Sequence, residues 1–174
     1  YATVCIDFRG TEVVELLSSL VTLARVDPHA TVHIMVNREC REMLDRAPVS
    51  YPETFTVVYD DRIDKYLQLT DKEINERGLV VEYYSQMFDF LRGVLAQISD
   101  GGVHYFGAGC WFLRPLDFGA HAASDFVGVG STDDDSFIGD LFFVRGSLFL
   151  DEWQEHVMKR GEAAYDDNIE DVIV

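Results

Sequence analysis

The chain has 174 residues, of which 48% are hydrophobic and 13% aromatic, a composition typical of one folded domain with a buried core. Its 31 acidic and 14 basic residues give a formal net charge of −17 at pH 7, which disfavours binding to nucleic acid or to an anionic membrane surface. A phosphorylated ligand would have to be held locally, by backbone N–H groups, a metal ion or one of the few cationic side chains. Adaptation to high salt would produce the same acidic surplus.

The cysteines are too few and too irregularly spaced for a disulfide framework or a zinc site. There are three, Cys5, Cys40 and Cys110, without the paired spacing of metal ligands. We therefore expect the cytoplasm or another reducing compartment. No apolar run has the length of a membrane span, so no membrane insertion is predicted within this segment. The chain begins on a strand pattern and ends in an apolar run, as a fragment of a longer chain would.

The first 36 residues predict a strand, a helix and a second strand. Residues 2–8 (ATVCIDF) form a β-branched run that ends at a turn marked by Gly10. From Thr11 the apolar residues keep helical spacing as far as Pro28. Residues 31–36 (TVHIMV) predict the second strand, parallel to the first because a helix connects them.

Residues 37–99 predict three helices and one strand. Residues 37–47 predict a polar helix, and residues 54–59 (TFTVVY) predict the third strand. Thr70 and Glu73 form the capping box of a short helix. Residues 82–99 then predict a long helix with one apolar face.

The stretch that organises these elements covers residues 103–118, VHYFGAGCWFLRPLDF. It predicts a buried strand, a turn of the smallest residues (Gly107, Ala108 and Gly109), a second apolar run and a stop at Pro115. Open α/β sheets bind ligands at the carboxyl ends of their strands, where such a turn lies. The sequence therefore predicts a ligand site at this turn.

The second half predicts two more strands and two helices. The strands cover residues 125–129 and 140–145, with the acidic loop 131–136 between them, and residues 148–160 form a helix. Asp166 and Asp167 then begin a final helix. The whole pattern predicts an α/β fold, a three-layer α/β/α sandwich with a mostly parallel sheet, in a single domain spanning residues 1–174.

The order of elements and three motifs resemble one known family. The motifs are LRPL at residues 113–116, FVGV at 126–129 and IGDLFFVR at 138–145. Together they look like the nucleotide-diphospho-sugar transferases, the GT-A type glycosyltransferases, over nearly the whole chain. The resemblance implies a GT-A fold that binds a nucleotide sugar, a UDP-sugar foremost, and transfers the sugar to an acceptor with loss of a nucleoside diphosphate.

The chain departs from the family at the metal site. Where relatives have Asp-x-Asp before the apolar run and L-x-P-L, this sequence has Gly107, Ala108 and Gly109. Those carboxylates hold Mn²⁺ or Mg²⁺ against the diphosphate, and glycine supplies no such ligand, so no metal ligands are predicted. Glycine does let the backbone approach phosphates closely. The candidate cations that would assist it are Arg9, Lys65, Arg92 and Arg114.

The resemblance also implies residues that bind the nucleotide. Asp7, Phe8 and Arg9, at the end of the first strand, lie where the family seats the base. Asp60 and Asp61 follow the third strand and would contact the base or ribose. The turn chemistry that ends a strand explains the same residue types without any ligand.

Acceptor-side and catalytic positions are implied in the second half. Gly139 and Asp140, at the start of a strand, correspond to a segment where a small residue makes room for the acceptor sugar. Asp166 and Asp167 correspond to the acidic helix start that carries a catalytic or sugar-binding carboxylate, although a plain helix cap has the same composition. The acidic run 133–135 is a further candidate for metal binding, or a solvated loop.

Three hypotheses about function follow. The first is a glycosyltransferase-like domain that works without a conventional metal site, and the second is a catalytically inactive binding or scaffolding module. The third is an unrelated α/β nucleotide-binding enzyme, although the glycine turn fits a dinucleotide fingerprint poorly because Phe112 occupies its last position. Tyr105 and Trp111 are candidates for stacking on a sugar or base, but aromatic residues in such runs are mostly core.

Overall fold

The computed structural model describes residues 1–5, 11–64, 79–98, 101–117, 119, 123–130 and 137–161. In this part of the chain there are six strands and four α-helices, which confirms the predicted α/β class. The chain divides into two compact units. The first is Tyr1–Thr70 with Phe106–Asp117, and the second is Asp71–Tyr105 with Phe118–Val174.

The first unit alternates strands and helices. Its elements are β1 (Ala2–Cys5), α1 (Thr11–Val26), β2 (Thr31–Val36), α2 (Arg38–Arg46) and β3 (Thr56–Asp60). The three strands are parallel, with β2 between β1 and β3, as expected for strands that are joined by helices.

The core of the first unit is mostly aliphatic. All four residues of β1 are buried, as is typical of a parallel strand that is covered on both faces. The helix α1 has its buried residues at helical spacing, so one face packs inward. The largest fully buried side chains of this unit are Phe106, Leu16, Leu20, Leu23, Ile34, Met35 and Ile63.

A cap fixes the start of α2 directly after β2. Asn37 is extended and its Oδ1 accepts a hydrogen bond from the backbone N–H of Cys40 at 3.1 Å. This bond satisfies one of the amide groups that a helix start leaves without an internal partner. Only this one residue separates β2 from α2, so the helix begins at a defined position at the end of the strand.

The second unit is built around an antiparallel strand pair. Its elements are α3 (Val80–Leu95), β4 (Val103–Phe106, whose last residue belongs to the first unit), β5 (Phe126–Gly130), β6 (Phe137–Val144) and α4 (Ser147–Gly161). β5 and β6 pair antiparallel, with an irregularity between Gly128 and Val129. The strand order of the six-stranded, mixed sheet is β3-β2-β1-β4-β6-β5.

The core of the second unit is aromatic. Trp153 of α4 lies with its ring centroid 5.1 Å from that of Phe88 and 5.6 Å from that of Phe142, in both cases edge to face. Phe149 stacks on Phe126 with 3.8 Å between the centroids. Such pairs add about 0.5–1.5 kcal/mol each beyond the burial of their area.

Two predicted boundaries differ from the structure by three or more residues. β6 begins at Phe137 and not at residue 140, because its pairing with β5 continues through Ile138 and Phe137. Gly139 and Asp140 therefore lie inside a strand and not at its start. The helix predicted over residues 82–99 covers Val80–Leu95. Its end tightens, with the N–H groups of Gln97 and Ile98 bonded to carbonyls three residues back.

Several predicted elements lie outside the described residues. They are the end of the first strand, the short helix after Thr70, the acidic loop 131–136 and the helix that begins at Asp166. The single domain over residues 1–174 also stays a prediction.

Candidate functional site

The predicted glycine turn is present at the end of β4. Gly107, Ala108 and Gly109 follow Phe106 directly, and the N–H of Cys110 donates to the carbonyl of Gly107 at 3.4 Å. Gly109 has φ +86°, in the left-handed region that other residues rarely adopt. The backbone itself therefore requires glycine at one of the three positions.

The turn lies beside the start of α1, in the first unit. A Cβ atom at Gly109 would be 3.8 Å from the Oε2 atom of Glu15, which belongs to the second turn of that helix. Since α1 follows β1, this contact brings the glycine turn to the same edge of the sheet as the carboxyl end of β1. Glu15 also adds an exposed negative charge next to the turn. An anion bound there would need a cation to offset this charge.

Of the candidate base-binding residues, those after β3 lie within the described part of the chain. Asp7, Phe8 and Arg9 lie outside the described residues. Asp60 ends β3 and accepts two hydrogen bonds from the side chain of Arg62, at 2.9 and 2.7 Å, and one from its backbone N–H at 3.1 Å. Burial raises the pKa of the Asp60 carboxyl, but the hydrogen bonds and the charge of Arg62 outweigh burial and lower that pKa overall.

Asp61 is engaged by another arginine. Both of its carboxylate oxygens accept from Arg41 Nη1, at 3.1 and 2.9 Å. The guanidinium of Arg41 also lies 5.0 Å from the ring centroid of Tyr59, where a cation attracts an aromatic face. Burial, followed by the nearby charge of Asp45, raises the pKa of Tyr59 to about 12. Asp60 and Asp61 are thus held by arginines, a use that needs no ligand.

Arg92, a predicted phosphate-binding cation, is bound to α4. Its guanidinium donates to Asp151 at 2.9 Å, to Gln154 at 2.6 Å and to Asp89 at 3.0 Å. Its side chain is 24% exposed. Arg114, the candidate cation nearest to the glycine turn in sequence, is exposed, and Lys65 lies outside the described residues.

The acceptor-side and catalytic candidates are located only in part. Gly139 and Asp140 belong to β6, where Ile138, the residue before them, pairs with Val129. Asp166, Asp167 and the acidic run 133–135 lie outside the described residues. Their roles stay predictions.

The apolar run after the turn is buried only in part. Trp111 is 72% exposed and Leu113 is 89% exposed, whereas Phe112 between them is buried. The N–H of Phe112 donates to Thr22 Oγ1 on α1 at 3.2 Å, and its ring packs edge to face on Phe106 at 5.2 Å. The expectation that Trp111 belongs to the core is therefore wrong. Tyr105, the other candidate for stacking on a sugar or base, stacks on Phe142, with 4.7 Å between the ring centroids.

Trp111 forms one wall of an apolar groove on the outer side of α1. The groove has a volume of about 370 Å³ and is open to solvent. Its lining residues are Val14, Leu17, Ser18, Val21, Thr22, Val49 and Trp111. This groove was not predicted, although the sequence of α1 has a signal for it. Val14 and Val21 are apolar but lie outside the buried face of the helix, which gives it a second apolar face.

The described part of the chain has neither a cluster of metal ligands nor a membrane-spanning helix. Within it, no group of three or more histidine, cysteine, aspartate and glutamate side chains is close enough to hold a metal ion. None of the helices described has the length and hydropathy needed to cross a membrane.

No protein-family model matches the chain, and no curated protein matches it.

Proposed function

We propose that the domain is GT-A-like and binds a nucleotide sugar at the carboxyl edge of its sheet, with the diphosphate over Gly107, Ala108 and Gly109. The observation that carries this proposal is the position of the turn next to the start of α1. A ligand at this edge meets backbone atoms free of bulky side chains, and α/β sheets bind nucleotides at such edges.

The residues present do not fit the usual metal. The turn contributes no carboxylate, Glu15 is the acidic side chain nearest to a Cβ placed at Gly109, and the described residues hold no three-ligand cluster. The proposed mode of binding therefore relies on backbone N–H groups and on Arg114, and no step is assigned to a metal ion. Arg114 is exposed and lies five residues after Gly109, so its charge is available to a ligand.

The second unit favours this function over a dinucleotide-dependent enzyme. In the dinucleotide-binding sheet of the Rossmann fold, the fourth, fifth and sixth strands are parallel and lie side by side in that order. Here β6 lies between β4 and β5, and β5 and β6 are antiparallel. This arrangement argues against a dinucleotide-dependent enzyme as the form of the third hypothesis.

The proposal is tested by titration calorimetry with UDP-, GDP- and dTDP-sugars, each with and without Mn²⁺. We expect binding of a UDP-sugar that does not require Mn²⁺. Glu15→Gln removes the charge next to the turn and should tighten binding about fivefold, since a unit charge at about 4 Å in water contributes about 1 kcal/mol. Glu42→Gln makes the same change on α2 and should leave the affinity unaltered. Failure of every nucleotide sugar to bind would overturn the proposal.

A catalytically inactive binding module is the second candidate. It is favoured by the absence of carboxylates from the turn itself, because breaking the sugar–phosphate bond requires stabilisation of the leaving diphosphate. Release of nucleoside diphosphate from a bound donor, in the presence of simple sugar acceptors, separates the two candidates. Steady release excludes the inactive module, and binding without release supports it.

A further inference from the structure

The parallel pairing of β1 with β2 brings two distant thiols together. Cys5 is the last residue of β1 and pairs with Val36, the last residue of β2. Asn37 follows and caps α2, and its bond to the N–H of Cys40 holds that residue in the first turn of the helix. Cys40 therefore lies over the end of β1, although 35 positions separate the two cysteines in sequence.

The two sulfurs are close enough to react with each other. Sγ of Cys5 and Sγ of Cys40 are 2.9 Å apart, and both residues are 0% exposed. A disulfide bond is about 2.05 Å long, so the sulfurs would have to approach by about 0.9 Å. Rotation about the side-chain bonds is the movement that would close this gap, because the strand pairing and the capped helix hold the two backbone segments.

We propose that Cys5 and Cys40 form a redox pair that closes reversibly into an intramolecular disulfide, with hydrogen peroxide as the oxidant. One thiol releases its proton, and the thiolate attacks the peroxide. The O–O bond breaks, one oxygen stays on sulfur as a sulfenic acid, and the departing hydroxide takes the released proton to become water. The second thiol displaces the sulfenic oxygen as another water, and the S–S bond forms. The two sulfurs together lose two electrons to the peroxide, and a dithiol reductant returns them with two protons.

Peroxide suits this site because it is small and both sulfurs are buried. A bulky oxidant would need α2 to separate from the end of β1, whereas a molecule near the size of water needs only a local opening. The product fixes the end of β1 to the first turn of α2. A cross-link between such distant residues restricts the unfolded chain, so the oxidised form should melt at a temperature higher by on the order of 5–15 °C.

The test counts thiols in the whole chain. The reduced protein is treated with hydrogen peroxide in native buffer, quenched with catalase, denatured in N-ethylmaleimide and weighed by mass spectrometry. We expect one alkylated thiol in place of three, a mass before alkylation lower by two hydrogens, and a peptide that links Cys5 to Cys40. Dithiothreitol should restore three alkylated thiols and the lower melting temperature.

Two variants assign the bridge. Cys110→Ala should leave no alkylated thiol after oxidation, because the remaining pair is consumed. Cys40→Ala should leave both remaining thiols alkylated; the measurement on the unaltered chain decides the question if this variant does not fold. Three alkylated thiols after peroxide treatment, a bridge that includes Cys110, or a bridge between two chains would each overturn the proposal.

Discussion

The two units of the chain fill their cores with different proportions of aliphatic and aromatic side chains. In the first unit the parallel strands and α1 bury leucine, isoleucine and methionine, and in the second the antiparallel pair β5 and β6 packs with α3 and α4 through phenylalanine and tryptophan. Aliphatic side chains fill space without a preferred direction, whereas rings favour particular angles. We therefore expect the second unit to tolerate changes of shape less well than the first.

The largest difference is expected between the two tryptophans, one in each unit. Trp153 is 2% exposed and contacts Phe88, Phe142 and Phe149, so Trp153→Ala should lower the free energy of unfolding by about 3–5 kcal/mol. Trp111 is 72% exposed, and Trp111→Ala should change it by no more than about 0.5 kcal/mol. Urea unfolding followed by circular dichroism measures both.

Tryptophan fluorescence of the two variants checks the same contrast. The variant that keeps Trp153 should emit at shorter wavelength than the variant that keeps Trp111, because a buried indole is shielded from water. Equal destabilisation by the two substitutions would show that the groove residue is packed as tightly as the aromatic core.

The next difference concerns one glycine in each unit. A Cβ at Gly102 would lie 2.5 Å from the carbonyl oxygen of Val144 and 2.5 Å from a ring atom of Phe143, so Gly102→Ala should cost about 1–3 kcal/mol. At Gly109 there is room, but the φ of +86° disfavours a side chain, and Gly109→Ala should cost about 1 kcal/mol.

Asparagine separates these two causes. It adopts the left-handed region more easily than alanine does, so Gly109→Asn should be milder than Gly109→Ala. At Gly102 the longer side chain should be worse than alanine, since space is the limit there. Gly146→Ala, whose Cβ would lie 4.0 Å from Asp125, should be close to neutral in the same urea measurements. The same order of effects at Gly102 and Gly109 would contradict this explanation.

The smallest difference is expected for ion pairs. The pKa of the Asp60 carboxyl lies below its ordinary value of 3.8, so the ionised form contributes stability that is present above pH 3.8 and is lost as the pH falls through the lowered pKa. Asp60→Asn should lower the free energy of unfolding at pH 6 by about 0.2–1 kcal/mol, and the gap to the unaltered chain should close as the pH falls through the lowered pKa.

The second unit offers a matched control for this pair. Asp151 lies 2.7 Å from Arg92, but its side chain is 55% exposed, against 29% for Asp60. Asp151→Asn should therefore have the smaller effect at pH 6. A gap between Asp60→Asn and the unaltered chain that stays constant down to pH 2 would show that the loss arises from packing and not from charge.

The order of strands and helices could be predicted because it depends on local patterns. Residues 31–36 form an apolar, β-branched run between two segments whose apolar residues have helical spacing. Asn37, a residue type that caps helices, marks the start of α2 in the sequence itself. The start of β6 could not be predicted in this way. Phe137 and Ile138 follow an acidic run that is typical of a loop, and it is pairing with β5 that includes them in the strand.

In the candidate site, too, the local features could be predicted from the sequence and the long-range contacts could not. The glycine turn is visible in the sequence. The exposure of Trp111 is not, because it accompanies the buried position of Phe112, whose N–H donates to Thr22, 90 positions earlier in the chain. Arg92 was expected to be available to a phosphate, and Asp151 and Gln154, about 60 positions later, occupy it. Such long-range partners leave no periodic signal.

The connection through α1 also sets an order of events during folding. β1 and β2 are parallel, so they pair only after the helix between them has returned the chain across the sheet, and such distant contacts form more slowly than those of neighbouring strands. Cys5 and Cys40 become inaccessible when that pairing is complete. The time at which both thiols stop reacting with an alkylating reagent would therefore mark, in a refolding chain, the moment at which β1 and β2 come together.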